Sequence, residues 1–223
     1  MLRNRRIRKI HAEFLNSCRN LDEGRSYWER TGGFYRWFAQ LITPVPLLAL
    51  HPAGKTLLDA LNWLEANCPA KPLGEQVVRQ YHRMLYPDDP LGGGRYRTTE
   101  VMIEKSVISR RLPQKIAPSM RALDERLLEI QSGWDRSDFV DRLAVFREAV
   151  DIYYKIGLIH PFADGNGRVA RIAMNHLLRR YSLEYVVLPP LSESQELWDC
   201  LQEGHRGKMD SLYQFVARFR RRL

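Results

Sequence analysis

From Phe139 to Tyr181 the apolar residues recur at every third or fourth position on both sides of one short polar loop. That pattern commits this part of the chain to helices arranged about the loop, because only a helical period brings such residues onto one face. Phe139, Leu143, Phe146, Val150 and Tyr153 or Tyr154 trace the first face. The helix they define is expected to end near Gly157, a residue that stops helices easily. Ile172, Ala173, His176 and Leu177 trace the second face, on a helix expected from about Gly167 to Tyr181. His160 to Asn166 form the loop between them.

The rest of the chain is also read as mainly helical. Ile7, Ile10, Phe14 and Leu15 lie at helical spacing, as do Leu57, Leu58, Leu61 and Leu64, and Val77, Val78, Tyr81 and Leu85. Tyr35 to Ile42 form an apolar patch closed by Pro44 and Pro46. Ile116 to Ile130 are expected to be helical, with a break at Ser132-Gly133. Two further helices are expected over about Ser192 to Gln202 and Asp210 to Phe219. Pro90-Leu91-Gly92-Gly93-Gly94 excludes a helix interior. The β-branched run that follows predicts a β-hairpin from about Thr98 to Leu112, and Tyr185 to Leu188 are expected to be extended. The expected fold class is therefore mainly α, with one β-hairpin. An N-terminal helical extension, 1–70, would pack on a core formed by 71–223. Gly54-Lys55-Thr56 imitates the end of a P-loop, but Ala49 stands where its first glycine belongs and no strand leads in. Lys55-Thr56 is read as the first turn of a helix instead.

Composition bounds the functional classes. The chain has 223 residues, 44% of them apolar and 27% charged, as in an ordinary globular domain. No apolar run is long enough to cross a bilayer, and no apolar segment follows the basic N-terminus as a secretory signal requires. A cytoplasmic setting is the expectation, with secretion as an effector the alternative. Cys18, Cys68 and Cys200 are odd in number and form no CxxC pair, which argues against zinc and against a disulfide framework. The net charge of +9 is concentrated at Arg3, Arg5, Arg6, Arg8 and Lys9 and at Arg218, Arg220, Arg221 and Arg222. Such a distribution is read either as solvated ends with a cationic tail or as a surface for an acidic partner or nucleic acid.

The loop and the helix after it carry the chemistry: His160-Pro-Phe-Ala-Asp-Gly-Asn-Gly-Arg-Val-Ala-Arg171. Gly165 and Gly167 flank Asn166 and allow dihedrals that turn successive N–H groups toward one point. The helix opening there adds the positive end of its dipole. Arg168 and Arg171, three apart, share one face of its first turn. Two cations are unfavourable at a bare helix N-terminus, so their presence points to an anionic ligand such as a polyphosphate. Asp164 supplies a hard oxygen ligand of the kind that holds Mg²⁺ beside phosphates. His160 can act as a base near neutral pH. Taken one at a time these residues have ordinary explanations: a helix cap, an Asp-Gly turn, surface charge. Together they would require several unrelated explanations at once.

The segment resembles the signature of the Fic family, His-Pro-Phe-x-(Asp or Glu)-Gly-Asn-Gly-Arg-x-x-Arg, at every fixed position. Gly94-Arg95-Tyr96-Arg97 and the hairpin after it are similar to the flap region of that family, and the resemblance covers about Lys71 to Phe219. It implies a Fic-like helical core at 71–223 and transfer of AMP from ATP to a Tyr, Ser or Thr hydroxyl of a target protein. In that reading His160 is the catalytic base and Asp164 positions Mg²⁺. Gly165, Asn166, Gly167 and Arg168 bind phosphate oxygens, and Arg171 binds the γ-phosphate. Trp198 is a candidate for stacking on the base, the alternative being a core position on a helix. Retention of both Gly165 and Gly167 favours AMP over phosphoryl or phosphocholine transfer, with UMP and GMP left open. The protein substrate would pair with the flap hairpin edge.

Many members of that family are held off by a helix bearing Ser/Thr-x-x-x-Glu-Gly/Asn. Here Glu23-Gly24 is preceded by Arg19, Glu203-Gly204 by Asp199, and Glu196 lacks the following small residue. A separate antitoxin-like protein would then supply the glutamate, or such inhibition is lacking. The competing reading from another class is a non-enzymatic basic helical protein that binds nucleic acid, which leaves His160 to Arg171 unexplained.

Overall fold

A computed structural model describes residues 2–18, 52–87, 93–100, 112–191 and 194–221. The apolar patch Tyr35 to Ile42, the Glu23-Gly24 pair and residues 101–111 of the expected hairpin lie outside the described residues. Thr98 to Glu100, at the start of that hairpin, are irregular chain.

Eight helices are described: α1 (Leu2–Ser17), α2 (Pro52–Asn67), α3 (Glu75–Leu85), α4 (Pro113–Asp135), α5 (Arg142–Ile159), α6 (Asn166–Arg180), α7 (Gln195–His205) and α8 (Asp210–Ala217). Two short strands, β1 (Tyr185–Val186) and β2 (Arg220–Arg221), pair antiparallel with Tyr185 opposite Arg221 and Val186 opposite Arg220. The expected mainly helical class is thus the observed one. The sheet among the described residues has a strand at Arg220-Arg221, which the sequence suggested was a cationic tail. Pairing reverses that expectation. Val187 N–H donates to Phe219 O at 3.1 Å, and the arginines find carboxylates: Arg221 with Glu13 at 2.7 Å, Arg218 with Glu196 at 2.6 Å and Arg220 with Glu184 at 3.7 Å. Such exposed pairs contribute little stability each, but they remove much of the free positive charge from this end of the chain.

The chain separates into two compact units, 1–63 with 184–223, and 64–183. Residues 184–223 thus group with the N-terminal residues. In the first unit Ile10, Phe14 and Leu15 of α1 are buried with Tyr185, Val186, Leu197, Leu212 and Phe215. His11 Nε2 lies 3.3 Å from the Tyr185 hydroxyl.

The second unit holds the loop of interest, and its core is built on α6. Both neighbours, α5 and α3, pack on that helix, and nearly every α6 residue is buried, including Asn175 and His176, both 0% exposed. Burial of polar side chains requires internal partners. Asn175 Nδ2 donates to Arg171 O at 2.9 Å. The Tyr81 hydroxyl on α3 donates to His176 Nδ1 at 2.6 Å, and His176 Nε2 donates to Lys71 O at 2.8 Å. A neutral imidazole protonated on Nε2 satisfies both bonds. A second buried amide, Gln131 on α4, exchanges bonds with the Leu73 backbone: its Nε2 donates to Leu73 O at 2.7 Å and its Oε1 accepts from Leu73 N–H at 2.9 Å.

Helix boundaries differ from those expected at both ends of α4 and at the start of α5. Helix α4 continues through Ser132-Gly133 to Asp135. A helical glycine costs about 1 kcal/mol, and the Gln131 and Leu127 anchors on its buried side offset that. Pro113 opens α4 at its first position, where the missing N–H costs nothing. Helix α5 begins at Arg142 rather than Phe139, because the Asp141 carboxylate caps it by accepting from Leu143 N–H at 2.8 Å. Phe139 and Leu143 are consequently 79% and 54% exposed, and the buried face runs through Val145, Phe146, Ala149, Ile152 and Ile156. Gly54-Lys55-Thr56 fall within α2. Among the described residues no helix is long and apolar enough to cross a membrane.

His176 gives this packing a pH dependence. Burial lowers its pKa from 6.5 to about 4, the bond to Lys71 O opposing the shift only in part. Below pH 6.5 the unfolded chain takes up a proton that the folded chain refuses until about pH 4, so stability falls with pH across that window. The loss should approach about 3 kcal/mol at the acid end. Urea unfolding over the same range should be distinctly less steep in pH for His176→Gln than for the parent. Equal slopes would show that His176 is not held neutral.

Candidate active site

Pro161 dictates how α5 ends. A proline cannot continue a helix, and it disfavours the right-handed helical region for the residue before it. His160 leaves the helix in the left-handed region, φ 52° and ψ 61°, and its N–H closes the helix on Ile156 O at 2.9 Å. The helix therefore runs two residues past Gly157, and the stop is His160 itself. A non-glycine residue here carries strain of about 1 kcal/mol. Something must hold it, and Arg97 does. Its Nε donates to His160 O at 2.8 Å, its N–H donates to Pro161 O at 2.9 Å, and its Nη1 donates to Thr99 O at 2.7 Å. A cation also complements the negative end of α5. Arg97 is 5% exposed, and desolvation pulls its pKa down while Glu100 partly restores it.

Asn166 opens α6 and pins the other side of the loop. Its Nδ2 donates to Phe162 O at 2.8 Å, and its Oδ1 accepts from Phe162 N–H at 2.9 Å. The side chain uses one donor and one acceptor to hold the loop. Its backbone N–H and second amide hydrogen remain for an anion. Phe162, 0% exposed, anchors the loop in the core and stacks on the His82 imidazole at 4.0 Å between ring centroids. His82 Nδ1 accepts from Gly94 N–H at 2.7 Å, so its Nε2 carries the proton and donates to Asp164 O at 3.1 Å.

The two motif glycines are not equivalent. Gly165 caps α6 in the left-handed region with φ 76°, and a Cβ there would lie 2.6 Å from a ring carbon of Tyr86. Gly167 is an ordinary helical residue in the first turn of α6. The cradle is therefore Gly165 followed by the unsatisfied N–H groups of α6, the usual place for an anion. Asp164 Oδ1 accepts from Gly165 N–H at 2.7 Å. Arg168 is 9% and Arg171 1% exposed. Both lie in the first turns of α6, where the helix dipole favours an anionic ligand. Arg168 Nη2 donates to the Tyr86 hydroxyl, and its guanidinium sits over that ring, 5.1 Å from the centroid.

The structure thus brings His160, Asp164, Gly165, Asn166, Gly167, Arg168 and Arg171 together within one loop and the first turns of one helix. Trp198 lies on α7, half-buried, in the first unit. Sequence reasoning missed Tyr86 and His82, and noted Arg97 only as part of the flap. The available signal was slight: His82 is a polar residue on the apolar face of α3.

Residues 72–178 match the model of the Fic/DOC family. The chain carries a Fic/DOC domain. Over 144 residues it is 30% identical to the protein adenylyltransferase Fic of Nematostella vectensis, an alignment covering 65% of this chain and 31% of that protein. A Caenorhabditis elegans relative, protein adenylyltransferase fic-1, is 28% identical over 150 residues, with 65% and 26% covered. The chain thus spans between about a quarter and a third of the length of these curated relatives. In fold it is similar to a Fic-domain-containing signaling protein from Bacteroides thetaiotaomicron. The TM-score is 0.71 at 19% identity, covering 97% of this chain and 84% of that one.

Two substitutions probe the Fic loop. Gly165→Ala should destabilise the domain by about 1–2 kcal/mol from the left-handed backbone alone, with a further loss as Tyr86 is displaced. His160→Gly relieves strain that His160→Ala keeps, so it should be the more stable of the pair by about 1 kcal/mol. Chemical denaturation of the pair checks this. A glycine variant less stable than the alanine variant would show that His160 carries no backbone strain.

Proposed function

We propose that this Fic domain transfers AMP from ATP to a hydroxyl of a target protein. The observation that carries the reading is the pinned loop. It ends α5 at a strained histidine and, five residues later, opens α6 at a left-handed glycine with two buried arginines in the next turns. An imidazole and an anion cradle are thereby fixed on one short piece of chain. The names of the curated relatives support it. So does the bound AMPPNP in the BepC protein of Bartonella tribocorum, whose fold this chain resembles with a TM-score of 0.58 at 15% identity, covering 82% of this chain and 90% of that one.

In this reading the triphosphate lies on the N–H groups at the start of α6, and Arg168 and Arg171 hold its β- and γ-phosphates. His160 accepts the proton of the incoming hydroxyl. The hydroxyl oxygen bonds to the α-phosphorus, the bond from that phosphorus to the bridging oxygen breaks, and pyrophosphate leaves with the electron pair. The arginines stabilise the charge that gathers on the leaving group.

Asp164 fits the Mg²⁺ that such chemistry uses. One of its oxygens accepts from Gly165 N–H, which orients the carboxylate and leaves the other oxygen for a cation. Among the described residues no cluster of three metal-ligating side chains occurs. That suits an ion held by one carboxylate and by phosphate oxygens. When bound, it would offset charge on the phosphates. The protein substrate is proposed to pair with the hairpin that the sequence predicts over about Thr98 to Leu112. An antitoxin-like inhibitor belongs to the same proposal.

Incubation with lysate, Mg²⁺ and ATP labelled at the α- or the γ-phosphate tests the reading. Protein should acquire label from the α-phosphate only, and His160→Ala should abolish it. Label from the γ-phosphate only would make the protein a kinase. Label that survives His160→Ala would remove His160 from the mechanism. Arg171→Ala should weaken ATP binding by about tenfold or more, the scale of a lost charge-assisted hydrogen bond, and calorimetric titration measures it.

A further inference from the structure

Tyr86 closes α3, and it meets the cradle at two points. Its hydroxyl oxygen accepts from Arg168 Nη2, and the Arg168 guanidinium lies over its ring at 5.1 Å from the centroid. The same ring fills the space beside Gly165, where a Cβ would come within 2.6 Å of it. The glycine that opens α6 and the first motif arginine are therefore both in contact with one phenol.

The phenol is itself fixed from behind. His82 stacks on Tyr86 at 4.8 Å and 28°, and on Phe162 at 4.0 Å and 18°. His82 cannot rotate without losing its bonds to Gly94 N–H and Asp164 O. Three rings in sequence thus run from the motif's own Phe162, through His82, to Tyr86, and return to the motif at Arg168.

An arginine has many rotamers, and a ligand that must order it binds less tightly. The Tyr86 ring and hydroxyl remove that cost in advance, through a cation–π contact and a hydrogen bond to the charged group. We propose that Tyr86 is a positioning residue of the nucleotide site: it aims Arg168 at the N-terminus of α6 and so sets affinity for the β- and γ-phosphates, leaving affinity for the nucleoside and α-phosphate unchanged. This rests on the reading of His160 to Arg171 as a nucleotide site. Tyr86 is half-buried, and replacement by phenylalanine keeps the ring against Gly165 while deleting the acceptor.

The test is calorimetric titration with Mg²⁺-ATP and with AMP, in a His160→Ala background that prevents turnover. Tyr86→Phe should weaken ATP roughly tenfold, the scale of one hydrogen bond to a charged group, leave AMP within about twofold, and keep the melting temperature of the parent. Arg168→Lys should give a similar ATP-selective loss, and adding Tyr86→Phe to it should change little further, because the two act as one unit. Equal loss of ATP and AMP with a lowered melting temperature would assign Tyr86 a merely structural role. Tighter ATP binding by Tyr86→Phe would make the phenol a plug, and a full effect of Tyr86→Phe in the Arg168→Lys background would show that it does not act through Arg168. Each of these overturns the proposal, as does unchanged ATP affinity. If the His160→Ala parent binds no ATP at all, the nucleotide reading fails first and this proposal with it.

Discussion

A buried backbone loop must find a partner for every N–H and C=O it takes out of water, and the segment between α5 and α6 meets that demand with side chains brought from elsewhere. Arg97 takes the carbonyls of His160 and Pro161. Asn166 pairs with both backbone groups of Phe162, and His82 takes the carbonyl of Asp164. These bonds hold a strained histidine and a left-handed glycine at fixed separation between two well-packed helices. Without them the loop would relax, and no particular placement of imidazole against helix N-terminus would survive.

The second unit can be understood as the support for this arrangement. Helix α6 is buried nearly all round, which is unusual for a helix with so many polar residues, and each of those residues has an assigned task. His176 and Asn175 tie the helix to α3 and to its own preceding turn. Arg179 and Arg180 reach Glu65 and Asp135. Arg168, nearer the N-terminus, donates to the Tyr86 hydroxyl. Because the helix is locked along its length, the positive end of its dipole is held at a fixed place beside the loop.

The chemical segment was legible from the sequence because its residues are contiguous. A histidine before a proline, a carboxylate, two glycines and two arginines within twelve positions encode a helix stop, a turn, a helix start and a charge pair through local rules alone. What those rules misjudged were roles that depend on neighbours. The bonds from the Asn166 amide to both backbone groups of Phe162 are invisible to local rules. Gly167 reads as a conformational requirement until it is found inside the helix, and Gly157 reads as a stop until Pro161 is seen to move the stop to His160. Tyr86, His82 and Arg97 lie between 63 and 82 positions from the motif groups they hold, and no pattern within one segment reveals such a partnership.

By itself, then, the sequence determined the mainly helical class, the helices on either side of the loop, and the identities of the groups that could do chemistry there. Each of these follows from periodicity, proline and glycine stereochemistry, or side-chain type, all of which act over a few residues. Only the tertiary structure decided which polar groups hold the loop and which remain for a ligand, why Phe139 is exposed, and how the C-terminal arginines become a strand with carboxylate partners. Those outcomes depend on burial and on hydrogen-bond satisfaction between residues far apart in the chain, and that competition is settled only when the segments pack together.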